Sequence, residues 1–377
     1  MKKYLVYTVT CLMALSIASC GNKKSEAKEN VKEESVKKTT TPKAAKKKKK
    51  SLLMPNATGL PYEMLVVMDD AQWERPLGRA VFNVLDSDVP GLPQSERSFR
   101  ISRVAPSGFS SSNMFRIMRN VIKVNIQDIY TQPKLKFARN VYSYPQMIMT
   151  LQAPDEESLA KYVEENAQSI IDFFTKAEMN REIENLREKH NPEVSRLAKE
   201  ILEVEVWVPW ELNKLKKGQD FLWASTNVGK KDMNLVLYSY PYTDKNTFTL
   251  DYFLNKRDSV MKVNIPGGPE GSYMTTNHEM VYVEDATVRG KYAQVARGLW
   301  RVQGDRMGGP FVSHSRVDEV NGRIIVAEAF IYAPESLKRD LLRRMEAALY
   351  TLQLPAEQEV NSLSYSLEEI VIEPEIN

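Results

Sequence analysis

Residues 297–311 hold side chains that could recognise a ligand. The stretch contains three arginines, whose guanidinium groups are planar donors for carboxylate or phosphate, and the aromatic residues Trp300 and Phe311. Its four glycines would let the backbone approach a ligand closely. We therefore predict a surface that binds a peptide, a glycan or an anionic headgroup. The predicted surface consists of Tyr273, Arg297, Trp300, Arg301, Asp305, Arg306 and Phe311.

The same stretch also fits a structural role. Eight of the 16 glycines of the chain lie between Pro266 and Pro310, and glycines at this density also make the tight turns of a β-rich insertion. Trp300 would then fill the space between two subdomains, since large aromatic side chains are usually buried. The sequence leaves both interpretations open.

Hydrolysis is the chemistry that the sequence leaves as an alternative to binding. A nucleophile elbow needs the pattern Gly-x-Ser-x-Gly, which does not occur in this chain. Ser272 and His278 are the closest approach to a serine and a base in one neighbourhood. Because the partners of a catalytic triad are brought together by the fold and not by sequence order, this pair stays a candidate.

The sequence predicts neither a metal site nor a cofactor. None of the three histidines, at positions 190, 278 and 314, is paired with a second histidine at the spacing of a helical zinc site. The glycines at 304, 308 and 309 lack the lysine and hydroxyl that complete a P-loop. We also expect no nucleic-acid partner.

The first 20 residues predict a lipoprotein signal peptide. Lys2 and Lys3 form a basic region, residues 5–17 an apolar one, and an Ile-Ala-Ser-Cys box ends at Cys20. Cys20 is therefore the predicted site of lipid attachment. The alternative is an ordinary secretory peptide with an incidental cysteine. Cleavage would remove Cys11 and leave the folded part without a thiol.

Residues 21–51 predict a disordered tether. Residues 21–50 contain 12 lysines, 4 glutamates and no aromatic residue, so they cannot bury enough apolar surface to offset chain entropy. Gly21 follows Cys20 where some sorting signals have aspartate, and by similarity to such signals this favours the outer membrane, facing the periplasm. We expect the membrane as a partner through the lipid anchor. An envelope protein, a glycan or an anionic lipid is the expected ligand.

The sequence after the tether, called here the body, predicts two related α+β subdomains, at residues 52–190 and 191–355. An acidic tail follows at 356–377. Strands and helices follow one another without a regular βαβ rhythm, which indicates mainly antiparallel sheets flanked by helices. Two sequence echoes suggest an internal duplication: residues 142–159 resemble 320–337, and 122–126 resemble 261–265. The second subdomain would carry the glycine-rich stretch as an insertion.

Apolar and charge patterns also predict individual elements. They include a helix from Asp70 to Leu85, a strand at 203–208, a solvated charged helix at 176–189 and an edge strand at 370–372. Asn321 and Gly322 predict the tight turn of a hairpin.

Several short strings in the second half resemble a known family. The strings are Tyr-Ser-Tyr-Pro-Tyr at 238–242, Lys-Arg-Asp-Ser at 256–259, the run 265–274, Arg-Gly-Leu-Trp at 297–300, Met-Gly-Gly-Pro-Phe at 307–311 and Tyr-Ala-Pro at 332–334. They resemble a family of uncharacterised Bacteroidetes lipoproteins, grouped under a domain of unknown function numbered four-eight-three-seven. The resemblance covers nearly all of the body and implies a location and a fold. That family has no assigned activity, so the resemblance implies no catalytic residue.

Together these observations predict a lipid-anchored, periplasm-facing protein that serves as a non-enzymatic binding or assembly module of the cell envelope. The alternative is a hydrolase that acts on an envelope polymer or lipid. A third option is a carrier of hydrophobic ligands, which would need a deep apolar cavity.

Overall fold

The computed structural model describes residues 54–361, with side chains up to residue 358. The predicted signal peptide with Cys20, the tether and the strand predicted at 370–372 lie outside the described residues. No helix in the described part is long and apolar enough to cross a membrane.

The first half contains a five-stranded sheet, in the order β2-β1-β3-β5-β4. Three of its four strand pairings are parallel, and only the edge strand β4 runs antiparallel to its neighbour. The elements are β1 (Glu63–Val67), α1 (Asp70–Trp73), α2 (Pro76–Leu85), β2 (Arg100–Val104), α3 (Pro106–Ser111), α4 (Asn113–Arg116), β3 (Asn120–Ile126), β4 (Lys134–Arg139), β5 (Met147–Ala153), α5 (Glu156–Glu165) and α6 (Ala167–Glu188).

The core of this first sheet lies on the side covered by α2, α5 and α6. Residues 64–67 of β1 are all buried, because the sheet is covered on both faces and a strand in its centre must then be apolar on both sides. Phe99 and Phe174 meet edge to face in this core, with ring centroids 6.2 Å apart. A smaller cluster around Phe109 covers the opposite face.

The second half contains a seven-stranded sheet, in the order β6-β7-β8-β12-β11-β10-β9, in which every pairing is antiparallel. A 3₁₀ turn at Lys245–Phe248 precedes its middle helix. The elements are α7 (Pro192–Leu202), β6 (Lys214–Gly218), β7 (Phe221–Ser225), β8 (Asp232–Pro241), α8 (Leu250–Asn264), β9 (Tyr273–Val288), β10 (Lys291–Gln303), β11 (Gly308–Asp318), β12 (Arg323–Tyr332), α9 (Arg339–Leu349) and α10 (Pro355–Asn361).

Both faces of the seven-stranded sheet are buried at its middle strands. Leu235 and Leu237 point into the cluster beneath α7 and α9, while Val236 and Tyr238 point into the cluster beneath α8. This alternation follows from the two-residue repeat of a strand. The middle strands β8, β11 and β12 are consequently buried along almost their whole length.

Helix α9 connects the two halves. The carboxylate of Glu96 accepts hydrogen bonds from the backbone N–H groups of Lys338 and Arg339, at 2.7 and 2.8 Å, and so caps the start of the helix. The guanidinium of Arg343 lies 4.6 Å from the ring centre of Tyr62. The helix comes from the end of the chain, whereas Glu96 and Tyr62 come from the first half.

The α+β class is confirmed, but the structure corrects two parts of the prediction. The first sheet is mainly parallel, and its strand order differs from that of the second sheet, so the two halves share no topology. The similar strings at residues 122–126 and 261–265 lie in different kinds of element. The first is in a strand, β3, and the second is at the end of a helix, α8. Short apolar strings recur by chance, and these two have different structures.

Individual elements were also misplaced. The predicted helix from Asp70 is two helices, because Pro76 lacks a backbone N–H and begins a new one. Residues 203–208 form no strand: Glu203 has a positive φ of 57° and ends α7, and Glu205 makes a single bridge with Gln353. The hairpin around Gly322, which has a φ of 61°, is present between β11 and β12 as predicted.

His314 on β11 should make the protein less stable in acid. It is fully buried against the Tyr350 ring, with centroids 4.8 Å apart, and neither ring nitrogen has a hydrogen-bond partner among the described residues. Burial lowers its pKa from 6.5 to about 4. Between these values the unfolded chain binds a proton that the folded chain excludes, so the free energy of unfolding falls as the pH falls.

The expected loss attributable to His314 is about 2 kcal/mol between pH 7 and pH 5. Urea unfolding at the two pH values should show a drop for the native chain that exceeds the drop for His314→Leu by this amount. Equal drops for both proteins would contradict the assignment.

Candidate functional site

The predicted recognition stretch lies inside the seven-stranded sheet. Residues 297–311 form the end of β10, a turn and the start of β11. Trp300 is 3% exposed and its Nε1 donates to the Ile331 carbonyl at 3.2 Å, while Phe311 is fully buried. The two aromatic side chains therefore pack in the core beneath α8 and present no surface to a ligand.

Two of the glycines in this stretch are required by backbone packing. A Cβ atom on Gly309 would lie 2.1 Å from the Ile331 carbonyl oxygen, and one on Gly298 would lie 2.6 Å from that of Met280. Neither position has room for a side chain. The structural role of the glycine-rich stretch, rather than close approach to a ligand, explains these residues.

Arg297 is part of an internal ion-pair network. Its guanidinium contacts the carboxylate of Glu346 on α9 and lies 3.4 Å from that of Glu284. Burial opposes its charge, but the carboxylate of Glu346 outweighs burial and raises the pKa of Arg297 above its usual value. The side chain is only 19% exposed, so it stabilises the junction between the sheet and α9.

The remaining predicted residues are more accessible but separate. Tyr273 is half-buried under Lys262, whose Nζ lies 4.8 Å from the ring centre. Asp305 is half-buried in the turn and accepts a hydrogen bond from the backbone of Arg306, whose own side chain is exposed. Arg301 is exposed, lies opposite Thr275 on β9 and lines a recess. Because Trp300 and Phe311 are buried, the seven residues do not form one surface.

This recess, the Asp258 recess, has a volume of about 390 Å³. His278 Nε2 lies 2.8 Å from Asp258 Oδ2, and the hydroxyls of Thr275 and Thr276 also donate to Asp258. Partial burial opposes ionisation of Asp258, but hydrogen bonds from Thr276, His278 and Thr275 lower its pKa overall. Its lining is Asp258, Thr275, Thr276, Asn277, His278, Glu279 and Arg301.

The serine and histidine considered for hydrolysis do not meet. Ser272 is buried and its hydroxyl donates to the carbonyl of Pro269. The imidazole of His278 is bonded to Asp258 instead. A serine nucleophile needs a base within hydrogen-bond reach, and Ser272 does not have His278 in that position.

A larger cavity lies in the first half, beside α6, and is called here the α6 groove. Its volume is about 690 Å³. One wall is α6, and the other is the loop between β4 and β5 together with residues 56–57. The lining is Asn56, Ala57, Arg119, Arg139, Asn140, Tyr144, Pro145, Gln146, Met147, Phe173, Lys176, Ala177, Asn180, Arg181, Glu184, Asn185 and Glu188.

The helical wall of the groove follows from residue spacing. Ala177, Arg181, Glu184 and Glu188 are separated by four, three and four positions, so they lie along one face of α6. Ala177 is small, which leaves space between the helix and the facing loop. This face is mainly polar, whereas a carrier of hydrophobic ligands would need an apolar cavity.

The facing loop is held by a buried amide. Gln146 is 1% exposed, and its Nε2 donates to the carbonyls of Arg116 and Met118 at 2.6 and 2.8 Å. Its backbone N–H donates to Asn140 Oδ1 at 2.9 Å. The backbone of Tyr144 is bonded to the chain near residue 56, and its ring is 41% exposed at the groove. The wall is thus ordered before any ligand binds.

The floor of the groove is a buried charge cluster. Glu178 is 3% exposed and lies 2.8 Å from both Arg119 and Arg181. Asn120, the first residue of β3, donates to Glu178 at 2.6 Å and accepts from Arg181 at 2.8 Å. Burial lowers the pKa of Arg181 to about 10, against the opposing effect of the Glu178 charge.

The sequence did not predict this groove. The charge pattern at residues 176–189 correctly indicated a helix, but Glu178, Arg181, Ile183 and Leu186 are buried and are not a solvated face. The apolar residues Ala177, Ile183 and Leu186 within the charged run were the available signal. The facing loop comes from about 40 positions earlier, so spacing could not connect the two walls.

No group of three or more metal-ligating side chains occurs within the described residues. The α6 groove combines charged and amide side chains with apolar ones such as Met147 and Phe173, whereas the Asp258 recess is lined by polar and charged side chains. The class that the fold and the groove define is an α+β protein with two sheets and a groove of mixed polarity beside a long helix.

Comparison with protein families assigns each half separately. Residues 191–351 match the family described as a domain of unknown function (DUF4837). Residues 57–187 match a second family, also described as a domain of unknown function (DUF8532). The predicted resemblance is confirmed for the second half, while a different family covers the first. A comparison with curated proteins finds no match.

Replacing Glu178 should destabilise the protein through the cluster beneath the groove. Glu178→Ala leaves Arg119 and Arg181 without their carboxylate, and breaking a buried ion pair in this way costs about 3 kcal/mol. Glu184→Ala on the same helix removes an exposed pair with Arg187 and should change the free energy of unfolding by less than about 0.5 kcal/mol. Urea unfolding followed by circular dichroism measures both. Equal effects would show that the cluster is not a stabilising unit.

Proposed function

We propose that this chain is a lipid-anchored protein of the bacterial cell envelope whose body is a non-enzymatic binding module. The anchor rests on the basic, apolar and Ile-Ala-Ser-Cys regions that end at Cys20. The lysine-rich tether after Cys20 would hold the body away from the bilayer. The membrane proposed is the outer one, with the body facing the periplasm.

The observation that carries the binding role is the α6 groove. Ligand sites are commonly concave, largely formed in advance and equipped with a few directed polar groups. The groove has a wall ordered by Gln146, an exposed ring at Tyr144 and side-chain amides at Asn56 and Asn180. No serine, threonine, cysteine or histidine is among its described lining residues.

The hydrolase alternative would depend on the carboxylates in the groove. Glu184 and Glu188 are one helical turn apart on the same wall. Glycoside hydrolysis places its two carboxylates on opposite sides of the scissile bond. This placement favours binding over hydrolysis in the α6 groove.

Replacing Cys20 tests the anchor. Cells that express Cys20→Ala and are fed a labelled fatty acid should give no labelled protein, and the protein should leave the membrane fraction, because the thiol that accepts the lipid is gone. Cys11→Ala is the matched control, since Cys11 lies within the predicted signal, and it should stay labelled. Label that persists in Cys20→Ala would overturn the lipoprotein assignment.

Filling the groove tests the binding role. Asn180→Trp places a bulky ring on the α6 wall, whereas Asn246→Trp places the same ring at an exposed position outside the groove. Soluble peptidoglycan fragments, envelope polysaccharide and phospholipid vesicles are tested for binding and for turnover. At least one class should bind the native chain and Asn246→Trp but not Asn180→Trp, and none should be cleaved. Cleavage that Asn180→Trp abolishes would support the hydrolase instead.

A further inference from the structure

We propose that the α6 groove binds a short extended peptide by its two free ends, with the carboxylate near Lys176 and the amine near Glu188. This inference rests on the proposed binding function and names its class of ligand. Both residues belong to α6 and both line the groove. They are the two charged residues of that wall for which the described structure contains no ion pair.

The two residues contrast with the other charges on α6. Arg181 is neutralised by Glu178 in the floor, and Glu184 pairs with Arg187. Lys176 is half-buried, and its ammonium has no carboxylate partner among the described residues. A carboxylate supplied by a ligand would provide that partner. Glu188, which is exposed, would in turn attract a cation.

The spacing of these two residues along α6 sets the length of the ligand. Lys176 and Glu188 are 12 positions apart in one helix, so their backbone positions are separated by about 18 Å along the helix axis at 1.5 Å per residue. An extended chain spans about 3.3–3.6 Å per residue, so about five residues separate its ends by the same length. A free pentapeptide therefore matches the groove in both length and terminal charge.

The residues between the two charges suit a peptide backbone. Asn180 lies on the helical wall between Lys176 and Glu188, and Asn56 lies on the facing wall. Neither side-chain amide makes a hydrogen bond among the residues described. An amide side chain can both donate and accept, which matches the alternating N–H and C=O groups of an extended peptide.

The same charges disfavour the other ligands considered. An anionic lipid headgroup has phosphate to offer Lys176, but it would leave the carboxylate of Glu188 without a partner. A neutral glycan would leave Lys176 and Glu188 without charged partners. Its sugar rings would have one exposed aromatic ring in the groove to stack on, that of Tyr144. A zwitterionic peptide satisfies both ends of the groove.

The test compares four forms of penta-alanine by isothermal titration calorimetry on the native chain. The forms have both ends free, only the carboxylate free, only the amine free, or both ends blocked by acetyl and amide groups. The form with both ends free should bind at least tenfold more tightly than the fully blocked form. The two half-blocked forms should lie between them.

Single variants then assign each end. Lys176→Gln should abolish the preference for a free carboxylate and keep the preference for a free amine, and Glu188→Gln should do the reverse. Lys161→Gln on α5, which lies outside the groove, is the matched control and should keep both preferences. Retention of both preferences in Lys176→Gln and Glu188→Gln would overturn the proposal.

The outcomes separate this inference from the function on which it rests. If all four forms bind equally, recognition of the two free ends is wrong while the binding function stands. If an envelope polysaccharide binds through the groove and penta-alanine does not, the peptide assignment is wrong while the binding function stands. If Asn180→Trp leaves the binding of every envelope fraction unchanged and no peptide form binds, both are wrong.

Discussion

The capping of α9 by Glu96 is the contact on which the arrangement of both sheets depends. Two backbone N–H groups that no helix can satisfy internally are bound by one carboxylate from the first half. Hydrogen bonds to charged groups contribute about 1.5–3 kcal/mol each. The apolar face of α9 packs beneath the seven-stranded sheet, while Arg343 contacts Tyr62 next to the five-stranded sheet. Helix α9 thus lies in the second half of the sequence, and it packs against both halves of the structure.

The α6 groove depends on a comparable contact near the middle of α6. Glu178 binds the guanidiniums of Arg119 and Arg181 below the groove, and Asn120 ties this cluster to the start of β3. Buried charges are tolerated only when they are paired and hydrogen-bonded. The cluster therefore fixes the position of α6 against the sheet, and the groove above it keeps its shape. It lies at the amino ends of β3 and β5, away from the carboxyl ends where open α/β sheets usually bind ligands.

The glycine-rich stretch shows how composition can suggest a site where the fold makes a core. Arginine, tryptophan and glycine suit a recognition surface, but the same residues suit a packed antiparallel sheet. Gly309 allows the Ile331 carbonyl to approach, and Trp300 donates to that carbonyl while filling the space beneath α8. The guanidinium of Arg297 forms an ion pair with the carboxylate of Glu346. Of the three arginines in this stretch, Arg301 and Arg306 keep exposed side chains.

Local patterns in the sequence determined the elements, and the packing decided which of them meet. Strand β1, the hairpin at Gly322 and the helical character of residues 176–188 were predictable, because apolar periodicity and turn chemistry act within a few residues. The Lys-rich strands β4 and β6 were missed because their pairing, and not their composition, makes them strands. The parallel order of the first sheet and the joining of α6 to the loop at Gln146 required the tertiary structure. These features depend on contacts between distant parts of the chain, and sequence spacing carries no information about distances across the fold.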